Sequence, residues 1–143
     1  MGACDAVGVS AVVYGSLAFA ALLSRDDEVI RDFDVFVSES DFPRIRSMLD
    51  EMGFSHETFD EYHTIHASDG VVSVEFDSIE HWLSVTPSFV DVEFHGLRLK
   101  SVSIDTLREI YDYASQHASD ENNRCEYARK RRLLDEYRRR EWR

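Results

Sequence analysis

The chain has 143 residues, of which 43% are apolar and 31% charged, enough for one soluble domain with a hydrophobic core. Its net charge of −12 disfavours extensive binding along a nucleic-acid backbone, whose phosphates an acidic body repels. Two cysteines, Cys4 and Cys125, lie at opposite ends of the chain, which argues against a disulfide framework or a cysteine metal motif and fits a reducing cytoplasm.

Residues 6–23 are the most apolar stretch. Asp5 precedes them, no Lys or Arg supplies a basic lead-in, and Gly15-Ser16 interrupts them, so neither a membrane span nor a signal peptide is expected. The expectation is a buried strand or helix, a turn, and a buried helix over 17–23. A polar loop follows at Ser24 to Glu28. Asp32 to Val37 alternates, with Phe33, Val35 and Val37 on one face and Asp32 and Asp34 on the other, which predicts a half-buried strand. Asp41-Phe42-Pro43 predicts a helix capped by Asp41, with Ile45, Met48, Leu49 and Met52 on its buried face and Gly53 at its end.

Strands are predicted over 54–59, 62–67 and 71–77, with a tight turn at Asp69-Gly70. On the last of these strands Val72, Val74 and Phe76 face one way, and Ser73, Glu75 and Asp77 the other. Residues 90–99 predict a hairpin turning at His95-Gly96. A helix from Ile104 to His117 carries an apolar stripe of Ile104, Leu107, Ile110, Tyr111 and Ala114. A break is expected at Asp120 to Asn123, then a charged helix. Residues 124–143 hold nine basic and four acidic residues, net +5, against seven basic and 24 acidic in the other 123, net −17. The reading is therefore a domain over 1–123 with a mixed β-sheet flanked by helices, of α/β or α+β class, and a basic C-terminal helix over 124–143 packed on it or extending from it. That helix is expected to pair with the acidic body, a second subunit or another protein, and to be dispensable for metal binding.

Two carboxylates at i and i+2 on one strand face point into the same space, and their repulsion is relieved by a cation between them. Asp32-Phe33-Asp34 has this geometry, and Glu75 and Asp77 repeat it on a later strand. If the two strands are neighbours, four acids converge.

Tyr14-Gly15-Ser16-Leu17-Ala18, then Arg31-Asp32-Phe33-Asp34-Val35-Phe36-Val37, then Val74-Glu75-Phe76-Asp77 resemble the nucleotidyltransferase superfamily over roughly residues 12–80. The resemblance implies a polymerase-β-like fold that moves a nucleoside monophosphate from a nucleoside triphosphate to a hydroxyl acceptor. It implies Asp32 and Asp34 as ligands of Mg²⁺, or of Mn²⁺ in its place. Asp77 is the preferred third acid and metal ligand, with Glu75 close behind. Gly15 and Ser16 would approach the triphosphate, with Arg25 and Arg31 as candidate phosphate contacts. The fifteen residues between Ser16 and Asp32 exceed the usual family spacing. Small members of the superfamily include antitoxin-like proteins, so a non-catalytic module that binds a nucleotide or a protein is the alternative.

Other residues carry weaker signals. His63 and His66, three apart on a predicted strand, would face opposite sides, which argues against a zinc site with His56. His63 and His66 remain candidates to line the cleft. Lys100 is read as exposed, and Trp82, Phe89, Phe94 and Tyr111 as core aromatics.

Overall fold

The structure, a computed structural model, describes residues 2–25, 30, 32–82 and 87–141. In chain order it contains α1 (Gly2–Ala6), β1 (Val12–Tyr14), α2 (Gly15–Leu22), β2 (Asp32–Val37), α3 (Phe42–Glu51), β3 (Ser55–Phe59), β4 (Thr64–Ser68), β5 (Ser73–Ser78), α4 (Ile79–Trp82), β6 (Phe89–Phe94), β7 (Leu97–Val102), α5 (Ile104–His117) and α6 (Glu121–Glu141). The described strands form one mixed sheet of seven, ordered β3-β4-β5-β2-β1-β7-β6. β2 runs parallel to β5 and antiparallel to β1, while β1 runs parallel to β7.

Alternation along β2 and β5 divides the sheet's faces. Val35, Val37 and Phe76 join Ile45, Leu49 and Ile65 in a core beneath α1 and α3. Phe36 points the other way, into a core with Val13, Phe19, Leu107 and Leu134 beneath α2, α5 and α6. The acids of β2 and β5 share that second face, because a period of two puts them opposite Val35 and Phe76.

Two details of the α3 prediction change. Asp41 occupies the N-cap position, but its side chain makes no capping bond. A 3-10 turn over Glu39–Asp41 runs straight into the helix, leaving Asp41 with helical backbone angles rather than the extended ones a cap requires. Met52 is 50% exposed at the helix end, so the buried face stops at Leu49. The break before α6 also falls earlier. α6 starts at Glu121, and the Asp120 carboxylate accepts the Asn122 N–H at 2.8 Å.

α6 is tied into the domain. Ion pairs join it to α5: Asp135 of α6 with Arg108 of α5, Arg131 of α6 with Asp112 of α5 at 2.8 Å, and Arg138 of α6 with Asp105 of α5 at 2.6 Å. Part-exposed pairs of this kind contribute little each. Leu134 matters more, since it is fully closed from solvent within the core. Leu134→Ala is expected to lower unfolding free energy by about 2–5 kcal/mol, the range for deleting a buried leucine side chain, as read by denaturant melts. Among the described residues, no helix is long and apolar enough to cross a membrane.

Candidate active site

The site forms where β1 hands the chain to α2 beside β2. Tyr14, the last residue of β1, is registered against Asp34. Gly15 follows with φ +68, a left-handed conformation that side chains disfavour. A Cβ on Gly15 would lie 2.2 Å from Asp34 Oδ2. Glycine is therefore required twice, for its backbone angle and for the room it leaves the carboxylate. The helix start at Gly15-Ser16 is thus held directly against the acid, which places backbone N–H donors and a carboxylate within one small space.

The β2–β5 register settles how the four acids lie. Asp34 is opposite Glu75, and Asp77 is opposite Phe36, one rung deeper. Asp34 and Glu75 share a side-chain hydrogen bond. Burial first, then the charge of Glu75, that hydrogen bond, and the charges of Asp77 and Asp32 hold the Asp34 carboxyl well above the usual carboxylate range. Asp32 is exposed at the rim. Glu75 is part-exposed and bonds His66 Nε2 at 2.9 Å.

Asp77 has a different setting. It is fully closed from solvent and accepts the Tyr14 hydroxyl. The Tyr14 ring in turn stacks on Phe36, centroids 4.0 Å apart. Burial, reinforced by the Glu75 charge, pushes Asp77 up to about 6, while the Tyr14 and Thr64 hydroxyls pull it back.

Mutual repulsion among these acids has a measurable signature. The native pKa of Asp34 lies above its ordinary 3.8, so between those values the native state holds a proton that the unfolded chain has released. Its contribution to stability is full below about 4 and is lost as pH rises through the native value. Asp77 acts likewise between 3.8 and about 6. In chelator, the melting temperature is expected to fall from pH 5 to pH 8. Asp34→Asn should melt higher than wild type at pH 8 and show a shallower fall. Parallel curves for the two proteins would remove the repulsion from the account.

The sequence reading missed the contribution of α6. Lys130 Nζ, on a side chain only 7% exposed, donates to Ser16 Oγ at 2.9 Å and lies over the rings of Phe19 and Tyr111. Tyr127, one turn earlier, stacks near Tyr111 at 5.9 Å and feels the charges of Asp34 and Glu75. Burial is the larger cause of its raised pKa. The signal was available: Tyr127, Lys130 and Leu134, at i, i+3 and i+7, form one helical stripe within the arginine-rich run.

Other candidates fall elsewhere. Arg25 lies beyond the C-terminal end of α2, the helix that Gly15 opens. Arg31 lies outside the described residues. Lys100 sits over Phe89 at 5.3 Å on the far side of the sheet from β3. Tyr111 is core, whereas Trp82 is 43% exposed.

Beyond Glu75, the acid-bearing face continues over β4 and β3 as an open groove. A hollow of about 500 Å³ is bordered by Asp32, His56, Glu57, Phe59, His66 and Glu75. An adjoining one of about 370 Å³ is bordered by Phe59, Tyr62, Thr64, His66, Glu75 and Trp82, with Asp77 at its base. Carboxylates and aromatic rings together suit a cationic, partly apolar molecule.

No family model matches the sequence, and no curated protein matches it. Solved structures do match. The antibiotic-resistance factor ANT(2'')-Ia superposes with a TM-score of 0.69 at 15% identity, over 99% of this chain and 88% of that one. A crystal structure of ANT(2'')-Ia in complex with adenylyl-2''-tobramycin gives 0.68 at 14%, over 99% and 94%. The lincosamide antibiotic adenylyltransferase LnuA, bound to lincomycin, gives 0.67 at 9%, over 92% and 89%.

Proposed function

We propose that this chain, which has the nucleotidyltransferase fold of those structures, is a metal-dependent nucleotidyltransferase. It would move a nucleoside monophosphate from a nucleoside triphosphate to a hydroxyl of a small acceptor. The observation that carries this reading is the juxtaposition of Gly15 with Asp34, and of Asp34 with Glu75, at the start of α2. Similarity to enzymes that adenylylate antibiotics supports it.

The residues fit a hard divalent cation. Asp32, Asp34 and Glu75 offer carboxylate oxygens, the donor type Mg²⁺ and Mn²⁺ prefer, and the raised Asp34 carboxyl marks negative charge in need of a counter-ion. Glu75, registered beside Asp34 and open to the groove, takes the place of third acid. Asp77 holds Tyr14 in place from beneath. A bound Mg²⁺ would supply charge neutralisation at the transferring phosphoryl group.

The chain's own groups divide the remaining work. Backbone N–H groups at Gly15-Ser16 and the Lys130 ammonium bind and orient the triphosphate oxygens. Glu75 faces the groove, where it accepts the proton of the acceptor hydroxyl; His66 orients the Glu75 carboxylate by its hydrogen bond. The acidic groove floor favours an acceptor that carries amino groups, such as a cationic hydroxylated small molecule.

A thermal-shift screen of the four nucleoside triphosphates with and without Mg²⁺ tests site and donor together. The melting temperature should rise with at least one triphosphate, only when the metal is present, by the linkage of binding to folding. Lys130→Met should weaken that shift while still responding to Mg²⁺ alone. A wild type that ignores all four triphosphates with Mg²⁺ would sink the proposal.

A further inference from the structure

We propose a second metal site, for a transition metal ion such as Zn²⁺, formed by Glu39, His63 and His81 at the C-terminal ends of β2 and β5. One ligand atom from each of the three lies within 4.8 Å of the other two. They come from three separate segments: the 3-10 turn after β2, the turn that enters β4, and α4. Glu39 lies five residues beyond Asp34, roughly 15 Å along an extended chain, so this cluster is distinct from the acids beside Gly15.

The donors are those of a two-histidine, one-carboxylate set. His63 Nδ1 is 2.7 Å from Glu39 Oε1, and His81 Nδ1 is 3.0 Å from Glu39 Oε2. Both imidazoles turn the same nitrogen toward one carboxylate. Their rings stack with centroids 3.6 Å apart and 4° between planes. Imidazole nitrogen with carboxylate oxygen is a donor set for Zn²⁺ and its neighbours rather than for Mg²⁺. A shared cation would draw both nitrogens and the carboxylate inward; a ring rotation out of the stack would complete the coordination. The triad is part-exposed, which leaves an ion a path in.

The surroundings fix the ligands. The Glu80 carboxylate accepts the Glu39 N–H at 3.1 Å, the Ser38 hydroxyl at 2.7 Å and the Ser78 hydroxyl at 2.9 Å. Ser78 Oγ also lies 2.8 Å from His81 Nδ1, and its backbone N–H donates to the His63 carbonyl at 3.0 Å. His63 itself adopts the left-handed backbone, φ +51, a strained choice for a side-chain-bearing residue. That conformation takes it off the strand on which the sequence had set it opposite His66, and turns its ring toward His81. The Glu80 contact holds the Glu39 backbone, whereas the Ser78 contact is to the ligating His81 Nδ1 itself, so an ion would take its place. An ion here would clamp the turn before β4 to α4, which carries Trp82 to the groove 6.0 Å from the Tyr14 ring.

The test is a Zn²⁺ titration of the full chain against a chromophoric chelator, with millimolar Mg²⁺ present to cover the carboxylate site. Long-range ¹H–¹⁵N spectra of the imidazole nitrogens follow the wild type in parallel. One equivalent should bind. The His63 and His81 Nδ1 resonances should move with it. His63→Gln and His81→Gln, checked for folding by circular dichroism, should each lose that equivalent, and Asp34→Asn should keep it. Absence of a bound equivalent in wild type, its survival in both histidine variants, its loss in Asp34→Asn, or unmoved Nδ1 resonances would each overturn the site.

Discussion

Asp34→Asn is expected to lower nucleotidyl transfer by on the order of 10³-fold or more, the upper range for removing one preorganised transition-state contact. The side chain sits where three requirements meet. It lies against the glycine that opens α2, it faces Glu75 across the β2–β5 pair, and it shares a face with Asp32. An amide in its place keeps the shape but holds a divalent cation far less well, so charge on the phosphoryl oxygens goes unopposed. Asp32→Asn is expected to act in the same direction. Folding should survive in both, because Asp34 is a source of repulsion in the metal-free protein rather than of cohesion. Pyrophosphate release reports the chemistry and circular dichroism the fold. Retention of wild-type turnover by Asp34→Asn would end the metal-site reading.

Glu75→Gln and Asp77→Asn are expected to separate. Glu75→Gln should cost about 10²-fold or more in turnover, the scale of a positioned proton acceptor. Its carboxylate is part-exposed, next to Asp34, and opens on the groove. Asp77 is closed from solvent beneath it, with its hydrogen bond directed to Tyr14. Asparagine can still accept that hydroxyl, so Asp77→Asn should change turnover much less. It should also shift metal-free stability upward as pH passes 6, where the aspartate would have ionised. A larger turnover loss in Asp77→Asn than in Glu75→Gln would exchange the two roles and restore Asp77, the preferred third acid of the sequence motif, to the centre.

The parts of the site that follow from local rules were legible in the chain itself. Strand alternation placed Asp32 and Asp34 on one face, and the same period paired Glu75 with Asp77. A helix opening at Gly15-Ser16 was readable from an apolar run broken by glycine. What could not be read was register. Whether Asp34 faces Glu75 or Asp77 depends on how two strands separated by about forty residues slide past each other, and no local spacing fixes that. Lys130 was hidden for a related reason. In the sequence it is one cation in a basic run, and only the packing of α6 on α5 turns it inward to Ser16. His63 was misplaced because its left-handed backbone closes the 3-10 turn over Asp60–Tyr62, so β4 starts only at Thr64, and a non-glycine residue in that conformation leaves little trace in sequence. The acidic charge of the body also reads differently in three dimensions, since part of it lines α5 and is matched by the arginines of α6.

Transfer of a nucleoside monophosphate moves the α-phosphate of the triphosphate to the acceptor, so a label on that phosphate follows the reaction itself. The protein is incubated with Mg²⁺, an α-labelled nucleoside triphosphate and a panel of hydroxylated small molecules that includes cationic ones. Label should appear on an acceptor, with one pyrophosphate released for each acceptor labelled, and Asp34→Asn should abolish both. A wild type that binds Mg²⁺ and the triphosphate yet leaves all label on the nucleotide, across the whole panel, would contradict transfer and identify the chain as a nucleotide-binding module of the same fold.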